Sequence, residues 1–323
     1  MYKDKILNLL RSSKTGFLSG EELARRCGIS RTMVWKHIKS LEREGFGIEA
    51  VPSQGYRITS SPDLLRQADI KPGLKARIIG KEIHLFHETN STNTLAMELA
   101  SKGAPEGTVV ISETQTGGKG RLGRKWISPK GNLYLSVILR PDIAMHVAPL
   151  ITLLGAVAVA SAIRKQCNLE ARIKWPNDVV ISGKKVCGLL SEMSAEQDRI
   201  RHIVLGIGVD VNMELNALPA DIAALSTTLA QETGEKIDRT VLLQQILREL
   251  DSRYLAFLAD VRDVLREWTS LNVTVGKRVQ ISGAGATMEG LAQGIDSDGR
   301  LIIMWDDGSI HTVAAGDVTI LKG

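Results

Sequence analysis

The chain has 323 residues, of which 43% are hydrophobic and 24% charged, and its formal net charge is +5. This composition is ordinary for a globular protein with buried cores, and the length predicts two or three domains. The positive excess is confined to residues 1–60, which carry eleven Lys and Arg against six Asp and Glu, so we expect this segment to bind an acidic polymer.

Two further features limit the class of protein. Cys27, Cys167 and Cys187 lie far apart and form no CxxC pair, which argues against a disulfide framework and a thiolate zinc site. The first ten residues alternate charged and apolar side chains and lack the pattern of a secretory signal, so we expect a cytoplasmic protein. We interpret the uncharged, Ala-rich segment 147–163 as a buried core helix and predict no membrane association.

Residues 1–60 predict a winged helix-turn-helix domain, which consists of three helices and a hairpin. Local signals mark the ends of these elements. They are the apolar stripe Ile6, Leu9 and Leu10, the capping pair Ser19 and Glu22, the stop at Gly28, the cap at Ser30, and the hairpin strands 48–51 and 56–58. In the third helix Val34, Ile38 and Leu41 share one side, and basic residues recur on the opposite side.

In such a domain the third helix enters the DNA major groove, and the hairpin, called the wing, contacts the backbone. We therefore predict a DNA-binding surface on these two elements. Its residues are Arg31, Thr32, Trp35, Lys36, Lys39 and Arg57.

Residues 59–74 are expected to form a connector with one short helix at 63–67, followed by a central domain over residues 75–270. In that domain, strand-like segments near 83–87, 108–113, 132–139, 171–174, 178–181, 186–193 and 203–211 mix with helical segments at 94–102, 147–167 and 239–254. Few helices connect successive strands, which favours an α+β fold with a mixed sheet backed by helices. Residues 271–323 predict five short strands separated by glycine turns, typical of a small SH3-like β-barrel.

The segment Gln115 to Trp126 interleaves four glycines with four cations. Backbone N–H groups and positive charges in this arrangement bind phosphate or carboxylate oxygens. A second group of charged residues follows in Lys174-Trp-Pro-Asn-Asp178 and Lys184-Lys185-Val-Cys-Gly188. Together these segments predict a nucleotide site.

These motifs, with Ser91-Thr92-Asn93 before them, resemble those of the bacterial biotin protein ligases, in the family's order and over essentially the whole chain. The N-terminal domain resembles that of the two-function members, which also repress the biotin operon. The resemblance implies that biotin and MgATP react to biotinyl-5′-AMP, and that biotin then passes to a lysine of the biotin carboxyl carrier protein of acetyl-CoA carboxylase. It also implies binding to operator DNA as a ligand-promoted homodimer, and no tightly bound prosthetic group.

By this resemblance Lys185 and Arg121 are catalytic. The biotin-binding residues would be Ser91, Thr92, Asn93, Gln115, Lys119, Gly120, Arg121 and Lys185. The ATP-binding residues would be Arg121, Arg124, Trp126, Lys174, Asn177 and Asp178, with Asp178 also binding Mg²⁺ directly or through water.

Several alternatives stay open at this stage. Ser91-Thr92-Asn93 also fits a simple helix N-cap, and Trp175 fits a strand end packed into the core. Asp210 stands where the family commonly has Asn; an acid near ATP is mildly repulsive unless it helps to hold magnesium, so its role is open. A biotin sensor without ligation and a lipoate ligase are the rival functions, and the intact Lys185 and Arg121 argue against the sensor.

Overall fold

The computed structural model describes residues 2–13, 16–283, 286–314 and 316–321. The chain divides into two compact units, Met1–Leu64 and Leu65–Gly323. Each unit has its own core, and we describe each by itself.

Unit 1 consists of three helices and a hairpin. Its elements are α1 (Tyr2–Ser12), α2 (Gly20–Cys27), α3 (Arg31–Arg43), β1 (Gly47–Val51) and β2 (Gly55–Ser60), with β1 and β2 antiparallel. The predicted caps are present: Ser19 Oγ accepts a hydrogen bond from Glu22 N at 3.1 Å, and Ser30 Oγ accepts one from Met33 N at 3.2 Å. Gly28 ends α2 at φ 71°, a left-handed conformation that favours glycine.

The core of unit 1 is formed by the apolar sides of the three helices, with Ile6, Leu23, Val34, Ile38 and Leu41 at most 1% exposed. Burying these side chains fixes which side of α3 faces outward. The polar and basic side of α3 is therefore left at the surface, as its periodicity predicts.

Unit 2 is built on a seven-stranded mixed sheet in the order β3-β4-β5-β9-β8-β7-β6. The strands are β3 (Ile83–Thr89), β4 (Val109–Gln115), β5 (Leu133–Leu139), β6 (Arg172–Lys174), β7 (Asp178–Ile181), β8 (Lys184–Glu196) and β9 (Arg199–Val209). Only the pair β3 and β4 is parallel among these neighbours. The α+β architecture with a mixed central sheet is confirmed.

Helices cover both faces of this sheet because its strands alternate apolar side chains to either side. On one face α5 (Thr92–Ser101) packs Ala96 and Ala100 against Val110, Ile138 and Val204. On the other lie α6 (Leu150–Cys167), α9 (Arg239–Ala259) and α10 (Arg262–Leu271), whose side chains join the largest buried cluster. The described residues of unit 2 also form three shorter α-helices. They are α4 (Gln67–Ile70), α7 (Ala220–Leu225) and α8 (Leu229–Thr233).

Helix α6 belongs to the one helical segment in the described ranges, Met145–Cys167, that has the length and composition of a membrane span. Of its most apolar 18 residues, 72% are buried inside unit 2. Leu150, Ile151, Ala156 and Val157 are fully buried in the core cluster that also contains the sheet side chains. This is the core helix that the sequence predicts.

The C-terminal strands form a second sheet, entirely antiparallel, in the order β13-β12-β11-β10-β14. They are β10 (Arg278–Gly283), β11 (Ala286–Ile295), β12 (Leu301–Trp305), β13 (Ile310–Val313) and β14 (Asp317–Ile320). Val279, Leu301 and Ile303 belong to the same buried cluster as the central sheet. The C-terminal β region therefore shares the core of unit 2.

Two sequence-based boundaries need correction. The short helix expected at 63–67 lies instead at Gln67–Ile70, because Leu65 is buried and its N–H donates to Glu113 Oε1 at 2.6 Å. Helix α9 runs to Ala259, five residues beyond the predicted end, since Phe257 continues its buried side.

A buried ion pair joins α9 to the central sheet. Arg239 donates to Glu113 Oε2 at 2.9 Å and to Asn132 O at 2.8 Å, with the Arg239 and Glu113 side chains 1% and 7% exposed. Removing one partner of such a pair leaves a charge without compensation in a medium of low polarity.

We expect Arg239→Met to lower the free energy of unfolding of unit 2 by about 3–5 kcal/mol. Chemical denaturation followed by tryptophan fluorescence measures this change, since four of the five tryptophans lie in unit 2. The control is Arg262→Met, because Arg262 is 78% exposed and pairs with Asp260 at the surface, and such pairs contribute less than about 1 kcal/mol. Equal losses in the two variants would contradict the expectation.

Candidate functional site

A single cavity of unit 2, about 560 Å³ in volume, is lined by every residue that the sequence assigns to ligand binding. These are Ser91, Thr92, Asn93, Gln115, Lys119, Gly120, Arg121, Arg124, Trp126, Lys174, Asn177, Asp178 and Lys185. They come from the start of α5, the loop 115–126 after β4, the turn between β6 and β7, and the start of β8. The sheet brings these segments together at one of its faces. We call the loop 115–126 the anion loop.

The floor of the cavity is bare backbone. Gly188 of β8 and Gly208 of β9 are partners across the sheet, and the indole of Trp126 lies on both. A Cβ atom at Gly208 would come within 2.6 Å of Trp126 Cε2, and one at Gly188 within 2.8 Å of Trp126 Cζ3. Lys185 Nζ stands 5.2 Å from the centroid of the same indole, within the range of a cation–π contact.

A network of small polar groups occupies one end of the cavity. Gln115 Oε1 accepts from Thr92 N at 2.8 Å and from Thr92 Oγ1 at 3.1 Å, and Gln115 Nε2 donates to Ser128 Oγ at 2.9 Å. Ser136 Oγ lies 2.8 Å from Thr92 Oγ1 and 2.6 Å from Asn93 Oδ1. The arrangement suits a small polar ring with both donor and acceptor atoms.

Ser91 has the role that the simplest interpretation gives it. Its side chain caps α5, accepting from Thr94 N at 3.5 Å, and its residue is 2% exposed. Thr92 and Asn93 instead face the polar network. Trp175 is likewise a core residue, 2% exposed, and its indole N–H donates to Gly299 O at 2.9 Å.

Three cations of the cavity lie close to oxygen atoms of the protein. Lys185 Nζ lies 2.6 Å from Asp178 Oδ1, and Arg124 Nη2 lies 2.6 Å from Asp317 Oδ1. Arg121 donates to Asn177 Oδ1 at 3.2 Å and to Gly316 O at 3.3 Å. Burial lowers the pKa of Arg121, and the nearby Asp317 and Asp178 oppose this shift.

The anion loop doubles back on itself over a short distance. Gly120 N donates to Arg124 O at 2.7 Å, and the turn between them places Leu122 at φ 55° and Gly123 at φ 74°. Arg121 and Arg124 flank this turn. Leu122 is 67% exposed, so the tip of the loop has few contacts with the rest of unit 2.

Asp210, whose role the sequence leaves open, also lines the cavity. It is 4% exposed, and its Oδ1 accepts from Asn132 Nδ2 at 3.1 Å. Burial raises the pKa of Asp210 from 3.8 to about 8, although Lys185 opposes the shift. The carboxyl is therefore mostly neutral at pH 7, and the repulsion that the sequence predicts between an acid and ATP is largely removed.

Some residues that contact the assigned side chains had no role in the sequence-based assignment. They include Ser128, Ser136, Glu192 and Asp317, of which Asp317 itself lines the cavity. A fully buried serine in the apolar strand β5 is the one local signal for Ser136. The contacts of Glu192 and Asp317 are seen only once β8 and β14 are placed beside Asn93 and Arg124.

In unit 1 the predicted DNA-binding residues of α3 form one exposed surface. Arg31, Thr32, Trp35, Lys36 and Lys39 are all exposed, Trp35 to 51%. Arg57 of the hairpin is exposed too, but it pairs with Glu49 at 2.5 Å and lies over the Phe17 ring at 4.6 Å.

Comparisons with known proteins agree with this division of the chain. Residues 85–210 match the biotin/lipoate A/B protein ligase family, residues 3–57 match an HTH domain, and residues 274–321 match the biotin protein ligase C terminal domain. The bifunctional ligase/repressor BirA of Bacillus subtilis is 38% identical over 98% of this chain and 97% of its own. That of Escherichia coli is 29% identical over 98% of this chain and 96% of its own.

Among solved structures, the biotin protein ligase from Aquifex aeolicus in complex with biotin and ATP superposes with a TM-score of 0.64 at 28% identity. It covers 75% of this chain and 100% of its own. The cavity geometry, the N-terminal helix-turn-helix and the near full-length similarity lead to one conclusion: the chain belongs to the family of bifunctional biotin protein ligase/repressor (BirA) proteins.

Proposed function

We propose that this chain activates biotin with ATP to biotinyl-5′-AMP and transfers biotin to a lysine of the biotin carboxyl carrier protein of acetyl-CoA carboxylase. We further propose that it represses biotin synthesis genes, with biotinyl-AMP as the corepressor. One observation carries the proposal. This chain, which belongs to the BirA family, has a network of small polar groups and a set of cations in the same cavity.

In the first step an oxygen of the biotin carboxylate attacks the α-phosphorus, a C–O–P anhydride forms, and the bond to the β-phosphate breaks to release pyrophosphate. In the second step the lysine amine attacks the acyl carbon and AMP leaves. Both reacting groups of the first step are anions, so fixed positive charges lower its barrier. The enzyme supplies no nucleophile in this scheme.

Lys185 is the residue we assign between the biotin carboxylate and the α-phosphate. Its ammonium lies 2.6 Å from Asp178 Oδ1 and beside the indole of Trp126, and the residue lines the cavity. We assign Arg121 and Arg124 to phosphate oxygens, since a guanidinium forms two parallel contacts to such groups. Lys174 and Asn177 lie at the same end of the cavity and would also contact ATP, with Trp126 packing on adenine.

Mg²⁺ enters this scheme as part of the substrate MgATP. A magnesium ion usually binds one or two carboxylates together with phosphate oxygens and water. Asp178 fits this role by chemistry, because its carboxylate lies in the cavity beside the cations assigned to phosphate.

We assign the ureido head of biotin to the polar end, where Ser91, Thr92, Asn93 and Gln115 lie. The backbone around Lys119 and Gly120 would close over it. This places the reactive carboxylate of biotin toward Lys185.

The three-domain organisation, residues 1–60, 75–270 and 271–323, is part of the proposal, with an SH3-like barrel as the C-terminal domain. Five short antiparallel strands support that form. We propose that this domain assists ATP and carrier binding, because Asp317 and Gly316 contact Arg124 and Arg121 of the anion loop.

For the repressor function we assign the exposed surface of α3 to the DNA major groove. We assign Arg57 to a phosphate of the DNA backbone. Two half-sites of an operator require two copies of unit 1. We propose that bound biotinyl-AMP orders residues 117–124 and thereby favours a homodimer, which links the ligand to assembly.

Lys185→Ala is expected to slow biotin-dependent exchange between ATP and pyrophosphate by about 10²–10³-fold, because a preorganised charge at the reacting atoms is lost. The matched control is Lys184→Ala, since Lys184 is exposed and precedes Lys185 on the same strand. The same variants are scored by labelling of a biotin carrier domain. Wild-type labelling in Lys185→Ala would remove Lys185 from the mechanism, and no labelling by wild type would favour a biotin sensor.

The pair of substitutions Lys36→Ala and Lys39→Ala is expected to reduce the slope of log K against log salt for operator DNA by about 4, because each lysine neutralises roughly one phosphate and the bound homodimer has two copies of each lysine. Band shifts at several salt concentrations, with biotin and ATP present, measure the slope. Lys81→Ala with Lys102→Ala serves as the control, because both lysines are exposed on unit 2. An unchanged slope in the α3 variant would refute the assignment of α3.

Asp210→Asn is expected to raise the melting temperature more at pH 9 than at pH 5. The folded chain keeps Asp210 protonated up to a pKa of about 8, whereas the unfolded chain loses that proton near pH 4. The wild type therefore loses stability as pH rises between these two values, and an amide loses none. Thermal melts of both proteins at pH 5, 7 and 9 measure the difference in melting temperature between Asp210→Asn and the wild type. A difference that does not change with pH would show that Asp210 is ionised throughout this range.

A further inference from the structure

Glu192 lies on β8 with its side chain 33% exposed, seven residues after Lys185. It does not line the cavity, and no motif in the sequence marks it. One of its oxygens nevertheless reaches the polar network: Asn93 Nδ2 donates to Glu192 Oε2 at 2.8 Å.

This contact with Glu192 fixes the orientation of the side-chain amide of Asn93. Asn93 Nδ2 donates to Leu190 O at 3.2 Å as well as to Glu192, and both partners can only accept. Exchanging the oxygen and nitrogen of the amide would create two contacts between acceptors. Gly206 leaves the space that the amide occupies, since a Cβ there would lie 2.0 Å from Asn93 Oδ1.

The orientation of Asn93 in turn fixes a proton. Ser136 is fully buried, and its hydroxyl lies 2.6 Å from Asn93 Oδ1, which carries no hydrogen. Ser136 therefore donates its one hydroxyl proton to Asn93 Oδ1. Its oxygen can then only accept a hydrogen bond from Thr92 Oγ1, which lies 2.8 Å away.

Thr92 is the last member of this series of hydrogen bonds, and it lines the cavity. Its hydroxyl proton is donated to Ser136 Oγ, with Gln115 Oε1 at 3.1 Å as a second acceptor of the same proton, so no proton is left for a ligand. The lone pairs of Thr92 Oγ1 are then available to a ligand. A cyclic urea has two N–H groups that such an acceptor can bind.

We propose that Glu192 is a positioning residue of the biotin end of the cavity, which sets the hydrogen-bond direction from Asn93 through Ser136 so that Thr92 presents an acceptor to a ureido N–H. This inference rests on the proposed function and assigns the specificity of that same site. Lys119 Nζ, 3.9 Å from Glu192 Oε1, adds a contact from the anion loop to the same carboxylate.

Glu192→Ala removes the acceptor and frees the amide of Asn93 to turn. We expect KM and Kd for biotin to rise by about 10- to 100-fold, the range for a hydrogen bond to a charged group. We expect kcat at saturating biotin and KM for ATP to stay within about threefold, because no group near the phosphates changes. ATP–pyrophosphate exchange gives the kinetic constants, and calorimetry with biotin alone gives Kd.

Two further variants separate positioning from folding and from charge. Glu192→Gln keeps an oxygen that accepts from Asn93, so biotin binding should stay within about threefold of wild type. Glu196→Ala is the matched control, because Glu196 lies on the same strand and pairs with Arg201 at the surface. It should leave every constant unchanged.

A reciprocal exchange tests the direction of the hydrogen bond itself. Asn93→Asp alone sets two carboxylates against each other and should weaken biotin binding as much as Glu192→Ala. Combining it with Glu192→Gln restores a donor and an acceptor with their roles reversed, so Kd should recover at least about tenfold. Recovery is incomplete because Leu190 O keeps no donor.

Unchanged biotin binding in Glu192→Ala, or an equal loss in KM for biotin, KM for ATP and melting temperature, would overturn the inference. A double variant no better than Asn93→Asp would overturn it as well. Failure of the proposed function is a separate result: it would be seen as no biotin heat and no exchange in wild type and in Glu196→Ala.

Discussion

The neutralisation of crowded positive charge governs the architecture of the cavity. At an effective dielectric constant of about 20, two cations 4 Å apart repel by about 4 kcal/mol, so a cleft that gathers several must also hold anions. Here protein oxygens supply them: Asp178 faces Lys185, Asp317 faces Arg124, and Glu192 approaches Lys119. Phosphate and carboxylate groups of the substrates carry the same charge as these carboxylates. Ligand binding in the proposed reaction is therefore an exchange of one set of anions for another.

The sheet gives this exchange a rigid base. Gly188 and Gly208 pair across β8 and β9 and leave space for one flat group, which is the indole of Trp126 in this structure. Asp210 lies at the end of β9 with a carboxyl that burial keeps mostly neutral. The base of the cavity thus adds little charge, and the charged groups stand on the loops and strand ends around it.

The sequence predicts most of the fold because its signals are local. Caps at Ser19 and Ser30 and the stop at Gly28 depend on neighbouring residues, and the helices of unit 1 begin and end where these signals lie. The cavity residues were found from motifs along the chain. Contacts between distant segments could not be found in this way, since Glu192 meets Asn93 and Asp317 meets Arg124 only through the order of the strands. The shared core of the C-terminal sheet escaped prediction for the same reason.

The bond between Arg124 and Asp317 spans 193 positions of the chain. During synthesis on the ribosome, the anion loop leaves the exit tunnel long before β14 has been translated. A nascent chain that has already formed β3 to β9 therefore still lacks a carboxylate for Arg124 and the carbonyl of Gly316 for Arg121. A translation product that stops short of β14 would lack both contacts of the anion loop, so the completion of the cavity waits for the synthesis of β14.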